Sequence, residues 1–428
     1  MATHPPATPH TPVVREVPAP VSPGMSLAMS PAISPAISPA VPYRHVYVHV
    51  PFCARRCSYC DFAIAVRRDV PWRAYADGVR TELALRHGER ARNTDHPLDT
   101  LYFGGGTPSR LGADGVDALM DVFRERFRWT EQAEITLEAN PEDISPANVR
   151  RWREAGVNRL SIGVQSFHDD VLLWMHRVHD GQAAARAAAV ARDGGISAHS
   201  IDLIFATPDG IPRSWTDDLE RAIALDADHI SLYGLTVEPH TPLGRWQARG
   251  QVTEADESRY EQEFLEAHTR LSAAGYEHYE VSNYARPGRR ARHNSAYWQG
   301  VPYLGLGPSA HGFDGATRRW NADAYVEWLR LVQAGQDPER GAERLSDENR
   351  VAETVYLGMR TIDGLRIDAR EAAHVTRWVE EGWVTVSRDV HDPSFSTAGG
   401  MYRLTCTPMG WLRLDALAAD LTAFRSGS

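Results

Sequence analysis

Cys53, Cys57 and Cys60 place three thiols within eight residues, in the spacing C-x3-C-x2-C. The remaining cysteine, Cys406, lies far downstream, so the pattern suits a metal centre and not a disulfide framework. A closed structural zinc site wants four ligands, usually from two C-x2-C elements, and no second pair exists. The common ferredoxin runs also supply four cysteines. Three thiolates on a 4Fe–4S cluster leave one iron without a protein ligand. That iron is free to take the amino and carboxylate groups of S-adenosylmethionine and to pass an electron to its sulfonium. Zinc, or three structural thiols that merely cluster, are the blander readings. Tyr59, just before the last cysteine, could pack on an adenine ring.

Other residues with chemical potential stand at regular distances behind the cysteines. Gly104-Gly105-Gly106-Thr107-Pro108 follows an apolar run, and glycines there let backbone groups approach a ligand closely. The blander reading is a tight strand-to-helix turn. Glu138, Gln165, Arg177 and Asp202 fall at or just after further strand-like runs, where a charged side chain needs a partner. A bound polar cofactor is one; mutual pairing, for example of Glu138 with Arg177, is the other.

These positions need elements to hold them. Strand-like runs occur at Val46–Val50, Thr100–Phe103, Glu134–Glu138, Arg159–Gly163, Ser200–Phe205 and His229–Tyr233. Helix-like segments with apolar residues at i, i+3 and i+4 lie between them, at Trp72–His87, Val116–Phe127, Ala147–Ala155, Gln182–Arg192 and Ser214–Leu225. Six βα units predict an α/β fold with a parallel sheet curled into a partial (βα)6 barrel, its chemistry at the strands' C-terminal ends. An open doubly wound sheet is the alternative, because periodicity does not show closure. Beyond Tyr233 the rhythm weakens. Ser258–Ala274 reads as a helix, Tyr276–Val281 as a strand, and the stretch to Phe313 as a loop rich in Arg, Gly and aromatics.

The chain therefore divides into a tail over 1–42, a barrel over 43–322, and a smaller helix-rich, winged-helix-like domain over 323–428. The tail holds 11 of the 27 prolines and an imperfect SPAISPAISPA repeat. It has too little apolar surface to offset its ordering entropy and is expected to be disordered. No stretch approaches the roughly 18 apolar residues of a membrane span, so an integral membrane protein is not expected. All 46 basic residues are Arg, which excludes a Schiff-base or P-loop lysine. The formal charge of −10 argues against broad nucleic-acid binding. Clustered thiols without a secretion signal suggest a cytoplasmic protein.

Taken together, YVHVPFCARRCSYCDF, GGGTPS, LEANPE, RLSIGVQSF, IDLIFATP and RHNSAYW resemble the radical S-adenosylmethionine family. The closest likeness is to its branch of oxygen-independent coproporphyrinogen III dehydrogenases and heme chaperones. The resemblance runs from Tyr43 to the C-terminus and is most specific through Trp298. It implies a partial (βα)6 barrel, a 4Fe–4S cluster on Cys53, Cys57 and Cys60, and S-adenosylmethionine in contact with Gly105, Gly106, Thr107, Glu138, Gln165, Arg177 and Asp202. Tyr47 and Thr236 are implied as weaker contacts.

Two features separate the branches. The dehydrogenase pattern carries a further cysteine two positions after the cluster, where this chain has Phe62. His293-Asn294-Ser295-Ala296-Tyr297-Trp298 matches the HNxxYW motif of the chaperones. A neutral imidazole is a competent axial ligand for heme iron. Tyr297 and Trp298 offer flat apolar surface, while Arg289, Arg290 and Arg292 could pair with propionates. The plain alternatives are a hydrogen-bonded loop histidine, a packed aromatic pair and solvated arginines. The motif is read as a surface heme-binding loop with His293 as ligand. The expected function is a heme carrier that delivers to an acceptor protein; the alternative is the dehydrogenase, and radical chemistry would further require an electron donor. Cys406, His49, His311 and His374 are expected to be structural.

Overall fold

The computed structural model describes residues 43–87, 93–388 and 401–427. The tail over 1–42 lies outside the described residues. Six parallel strands follow one another in chain order: β1 (His45–Val50), β2 (Asn93–Gly105), β3 (Phe127–Ala139), β4 (Arg159–Gln165), β5 (Ala198–Phe205) and β6 (His229–Gly234). Helices α1 (Trp72–His87), α2 (Gly112–Arg124), α3 (Pro146–Glu154), α4 (Asp169–Trp174), α5 (Gly181–Asp193) and α6 (Trp215–Ala224) lie between them. The helix starts are set by local chemistry. Ser145, Asp180 and Ser214 each accept a hydrogen bond from the backbone N–H three residues on. The strands expected at Thr100–Phe103 and Glu134–Glu138 begin earlier, at Asn93 and Phe127, and Phe127, expected to end α2, opens β3, where it is buried.

The sheet does not end at six strands. After α7 (Pro242–Ala248) and α8 (Glu257–Ala273), β7 (Glu277–Glu280) and β8 (Asn283–Ala285) add antiparallel strands beyond β6. At the other edge β9 (Leu304–Leu306) pairs parallel to β1. The full order is β9-β1-β2-β3-β4-β5-β6-β8-β7, so the sheet curls without its two edge strands pairing: a partial barrel. Buried Val46, Val48, Leu101, Phe103, Leu137, Leu160, Ile162, Ile201, Leu203 and Ile230 form its core with the helices.

Two further layers lean on this barrel. β10 (His311–Phe313), β11 (Thr317–Asn321) and β12 (Glu339–Arg344) form an antiparallel sheet, with α10 (Tyr325–Gln333) packed on α1. The expected boundary at 322/323 falls between β11 and β12, which pair. Glu82 on α1 locks this layer down. Buried, it accepts hydrogen bonds from Gly307 N, Asn321 Nδ2 and Trp328 Nε1 at 2.7–2.8 Å and an ion pair from Arg86. The last layer contains α11 (Asp347–Arg360), a three-stranded antiparallel sheet holding buried Cys406, and a C-terminal helix over Leu414–Ser426. Burial pushes the Cys406 thiol up to about 12, as expected of a packing residue. Among the described residues no helix is long and apolar enough to cross a membrane.

Candidate functional site

β1 delivers the chain directly into the cysteine loop. Phe52–Cys53 pairs with Ala65–Val66, which closes the loop at its base. Ser58 pins its middle: its N–H donates to Met175 O at 3.2 Å and its carbonyl accepts from Leu243 N at 2.8 Å. Cys53 is buried with its Sγ 3.4 Å from Thr107 Oγ1, and Cys57 and Cys60 are half-buried. Burial pushes the Cys60 thiol up to about 12 and raises Cys53, with the other cysteines adding to the effect. The sulfurs are thus close enough for their neighbours to oppose the ionisation of Cys53 and Cys60. No three His, Cys, Asp or Glu side chains among the described residues converge at the spacing of a single bound ion. Sulfurs bound to different corners of an iron–sulfur cube stand farther apart than ligands of one zinc. A cationic cluster core would also favour the thiolate form that burial disfavours at Cys53 and Cys60. The donor set therefore fits a cluster and departs from a closed zinc site.

The strands next to this loop present a set of polar groups. Glu138, near the end of β3, accepts Tyr102 Oη–H at 2.8 Å and Gly105 N–H at 3.0 Å. Burial raises its carboxyl to about 7; the two hydrogen bonds oppose this, and Asp202 reinforces it. Asp202 is held by Ser161 Oγ at 3.0 Å and Ser200 Oγ at 3.4 Å, and burial lifts it to about 6. Neither carboxylate has an ion-pair partner among the described residues. Two half-buried acids without an ion-pair partner suit a ligand that brings positive charge, as the ammonium and sulfonium of S-adenosylmethionine do.

Arg177 does not pair with Glu138. Its Nη2 donates to Asn140 Oδ1 at 2.6 Å and to Gly163 O at 2.8 Å, and its Nη1 reaches Cys57 Sγ at 3.6 Å. Its Nε is buried without a partner. Burial lowers the guanidinium's affinity for its proton, but Tyr59, Cys57 and Glu142 outweigh it and the net direction is up. Gln165 ends β4 in the left-handed region (φ 67°) beside a register shift, an unusual conformation for a non-glycine residue, stored at the barrel mouth. Tyr59 packs against Val171, Met175 and Ile204. Tyr47 lies inside the barrel, its Oη 3.1 Å from His49 Nδ1. Thr236 is half-buried just after β6, and no hydrogen bond joins it to the other candidates among the described residues. Sequence reasoning missed the supports Tyr102, Ser161 and Ser200; Asn140 lies in the LEANPE run, but that run does not announce its role as partner of Arg177.

The glycines require a correction of reasoning. Gly105 has φ 112°, and a Cβ there would lie 2.6 Å from the His49 ring. A Cβ on Gly106 would lie 2.7 Å from the Pro51 carbonyl carbon. Both are needed to bring the loop against β1 and the cysteine turn. A larger residue at Gly106 would therefore displace the cysteines before it crowded any ligand.

A second correction concerns the HNxxYW segment. It is not a surface loop but a short helix, α9 (Arg292–Trp298), that closes the opposite, N-terminal end of the barrel. His293 is 1% exposed. Its Nδ1 shares a hydrogen bond with Thr100 Oγ1 at 2.6 Å and its Nε2 with Tyr297 Oη at 2.8 Å. The ring stacks on Tyr102 at 5.1 Å, and burial lowers its pKa to about 3. Both nitrogens are occupied, so in this arrangement the imidazole offers nothing to an iron. The arginines are engaged as well. Arg290 pairs with Glu277 and Asp363, Arg289 with Asp228, and Arg292 with Asp99. Trp298 lies under the Arg360 guanidinium at 4.2 Å.

Comparison with known proteins identifies the family. The Radical SAM superfamily profile matches residues 47–222. A protein named heme chaperone HemW from Mycobacterium tuberculosis is 35% identical over 382 residues, covering 88% of this chain and 94% of the relative. The Escherichia coli protein of the same name is 38% identical over 268 residues, 62% of this chain and 69% of its own length. Among solved structures, Escherichia coli coproporphyrinogen III oxidase (HemN) superposes with a TM-score of 0.71 over 90% of this chain and 91% of its own, at 23% identity, a likeness of fold. With its cysteine loop, its polar barrel mouth and a relative 35% identical over 94% of that relative's length, the chain belongs to the HemW family of the radical S-adenosylmethionine superfamily.

Proposed function

We propose that this protein is a heme chaperone that binds heme, carries a 4Fe–4S cluster with S-adenosylmethionine at the barrel mouth, and delivers heme to an acceptor protein in the cytoplasm. The observation that carries the reading is the pairing of Phe62, where the dehydrogenases have a thiol, with the intact HNxxYW segment. Cys53, Cys57 and Cys60 would hold the cluster. Gly105, Gly106, Thr107, Glu138, Gln165, Arg177 and Asp202, with Tyr47, Tyr59 and Thr236 around them, would line the cofactor pocket. When bound, the cluster supplies an open iron and a source of one electron. The chain's own contribution is to seat a cation between Glu138 and Asp202, and to hold the cysteine turn through Ser58 and Arg177.

His293 remains the proposed heme ligand, with a condition that the structure adds. The ring must leave Thr100 and Tyr297, giving up two hydrogen bonds that are together worth about 1–3 kcal/mol. The arrangement seen is then the closed, heme-free one, and heme iron recovers the loss through its bond to the freed imidazole. An anaerobic assay with coproporphyrinogen III beside a heme titration of the same sample tests the function. A Soret shift without decarboxylation is expected; turnover to protoporphyrinogen would establish the dehydrogenase instead.

A further inference from the structure

The arginines that precede His293 in sequence are held by acids, but the arginine that lies beneath it in space is not fully engaged. Arg159 opens β4 at the N-terminal end of the barrel and is 4% exposed. A guanidinium carries five N–H donors, and its burial is tolerable when they find acceptors. Here Nη1 donates to Arg289 O at 3.4 Å and lies 3.7 Å from Glu134 Oε2, too long for a hydrogen bond. Nη2 is buried with no hydrogen-bond partner among the described residues, and so is Oγ1 of Thr136, the residue paired with Arg159 on β3. Arg213, whose side chain is equally enclosed, instead directs its donors to Asp218, Thr207 and Ile204 O at 2.9–3.1 Å. One carboxylate joins Arg159 to the proposed heme-binding segment. Glu134 accepts His293 N–H on Oε1 at 3.0 Å and Arg292 N–H on Oε2 at 3.1 Å, and the same Oε2 faces Arg159. Arg159 is thus covered by the Arg289 carbonyl and by an acid whose other partners are the first N–H groups of α9.

We infer that Arg159 receives a propionate carboxylate of the bound heme. The inference rests on the reading that this chain binds heme at His293. For the imidazole to leave Thr100 and Tyr297, α9 must shift, and the Arg289 carbonyl just before it shifts as well. That movement uncovers a guanidinium whose Nη2 has no partner to give up. A porphyrin carboxylate taken out of water needs donors, and the planar fork of an arginine matches it best. Arg289, Arg290 and Arg292 are nearer in sequence, but each would first have to abandon an acid. Arg159 gives up only one long hydrogen bond to a carbonyl. Glu134 stays beside Nη1, so the guanidinium would serve two carboxylates, one at each terminal nitrogen.

The test compares heme with its dimethyl ester, in which iron and ring are unchanged and both carboxylates are masked, in Soret titrations of the full-length protein. The parent should bind heme about tenfold more tightly than the ester, as a charged hydrogen-bonded pair requires. Arg159→Gln should lose about tenfold in heme affinity and nothing in ester affinity, so the preference disappears. Arg159→Lys keeps a charge beside Glu134 without the planar fork, and its preference should fall to about threefold. His293→Ala should weaken both ligands by the same factor, because it removes the bond to iron alone. If Arg159 serves only in packing, its variants weaken heme and ester alike, and that result overturns the inference. A parent that binds the two porphyrins equally overturns it as well. Should Arg159→Gln not fold, the Lys variant decides, and an undiminished preference there ends the assignment. If His293→Ala binds both ligands as the parent does while Arg159→Gln still abolishes the preference, the iron ligand is misassigned and the propionate contact stands. No Soret shift with either porphyrin in the parent would overturn both readings.

Discussion

Toward the C-terminal ends of the barrel strands, half-buried Glu138 and Asp202 have hydrogen-bond donors but no ion-pair partner among the described residues, Arg177 keeps an unpartnered Nε, and Gln165 holds a left-handed backbone. At the N-terminal ends, His293 is enclosed by Tyr47, Tyr102 and Tyr297, and both of its nitrogens are paired within the protein. The mouth keeps acids without an ion-pair partner and an unpartnered Arg177 Nε; at the base the imidazole itself is fully paired, while Trp298 Nε1 and Arg159 Nη2 are buried without partners. Unmet polarity at the mouth is the mark of a pocket that binds in the conformation seen. The paired imidazole marks a lock, and any ligand that uses His293 must first open it.

The largest expected effect lies at the mouth. Cys57→Ser should abolish the broad charge-transfer absorption and the bound iron of anaerobically reconstituted protein. The thermal midpoint of the cluster-free forms should barely move, because Cys57 is half-buried and makes only a long contact with Arg177. Retention of four irons per chain would show that the three-thiol assignment is wrong.

His293→Ala should behave oppositely, affecting the fold as well as the ligand. It opens a cavity beneath Tyr102 and strands Thr100 and Tyr297, which together should cost about 2–4 kcal/mol in urea unfolding. Heme affinity should drop at least tenfold, or about 1.4 kcal/mol, with the cluster spectrum unchanged. If heme binds as tightly as to the parent, His293 is only the barrel's plug, and the ligand must be sought elsewhere.

The third effect is in pH. Glu138 has its carboxyl raised from 4.5 to about 7. Below both values the carboxyl is protonated in either state, and full stability is present. As pH rises from 4.5 toward 7 the unfolded chain ionises freely while the folded one resists, so stability falls by about 3 kcal/mol and then levels. Asp202 adds a loss of the same sign over the lower window from 3.8 to about 6. Glu138→Gln should remove the Glu138 part of the decline. A cation seated beside Glu138 favours its charged form, so S-adenosylmethionine binding near pH 7 should release about half a proton. Calorimetry in two buffers of different ionisation enthalpy measures this. Uptake of a proton, or none exchanged, would remove Glu138 from the cofactor pocket.

The two ends also differ in how much of them can be read from sequence. The mouth is assembled from strand ends and their loops. A C-x3-C-x2-C turn after β1, a glycine run after β2 and polar residues at the ends of β3 to β5 fall in register as soon as the six apolar runs are recognised. The base is assembled across long distances. That α9 turns His293 inward is decided by Thr100 and by Glu134, which caps the N–H groups of Arg292 and His293 from some 160 residues away. The arginines before it are spent on Glu277, Asp363, Asp228 and Asp99, none of which the motif announces. The edge strand β9 and the strands β10 and β11 are three to five residues long, too short to carry a period. A motif shows which residues lie together along the chain, and its solvent exposure depends on partners it does not contain.

The smallest expected effect probes whether the two ends communicate. Tyr102 touches both: its hydroxyl donates to Glu138 Oε1 at 2.8 Å, and its ring stacks on His293 at 5.1 Å. Tyr102→Phe removes the first contact and keeps the second. One lost hydrogen bond to the carboxylate is worth about 1 kcal/mol, so S-adenosylmethionine affinity should fall about fivefold. Without that donor, Glu138 should also titrate above 7, and proton release on binding at pH 7 should increase. Heme affinity should shift less than twofold, because the stacked ring remains. Tyr102→Leu removes both contacts and should move both titrations. By withdrawing the surface on which His293 rests, it should ease the release of the imidazole while leaving the mouth as weak as in the Phe variant. A Tyr102→Phe protein whose heme and S-adenosylmethionine affinities change by the same factor would mean that the hydroxyl, and not the ring, joins the ends, and the division of the barrel into independent halves would have to be given up.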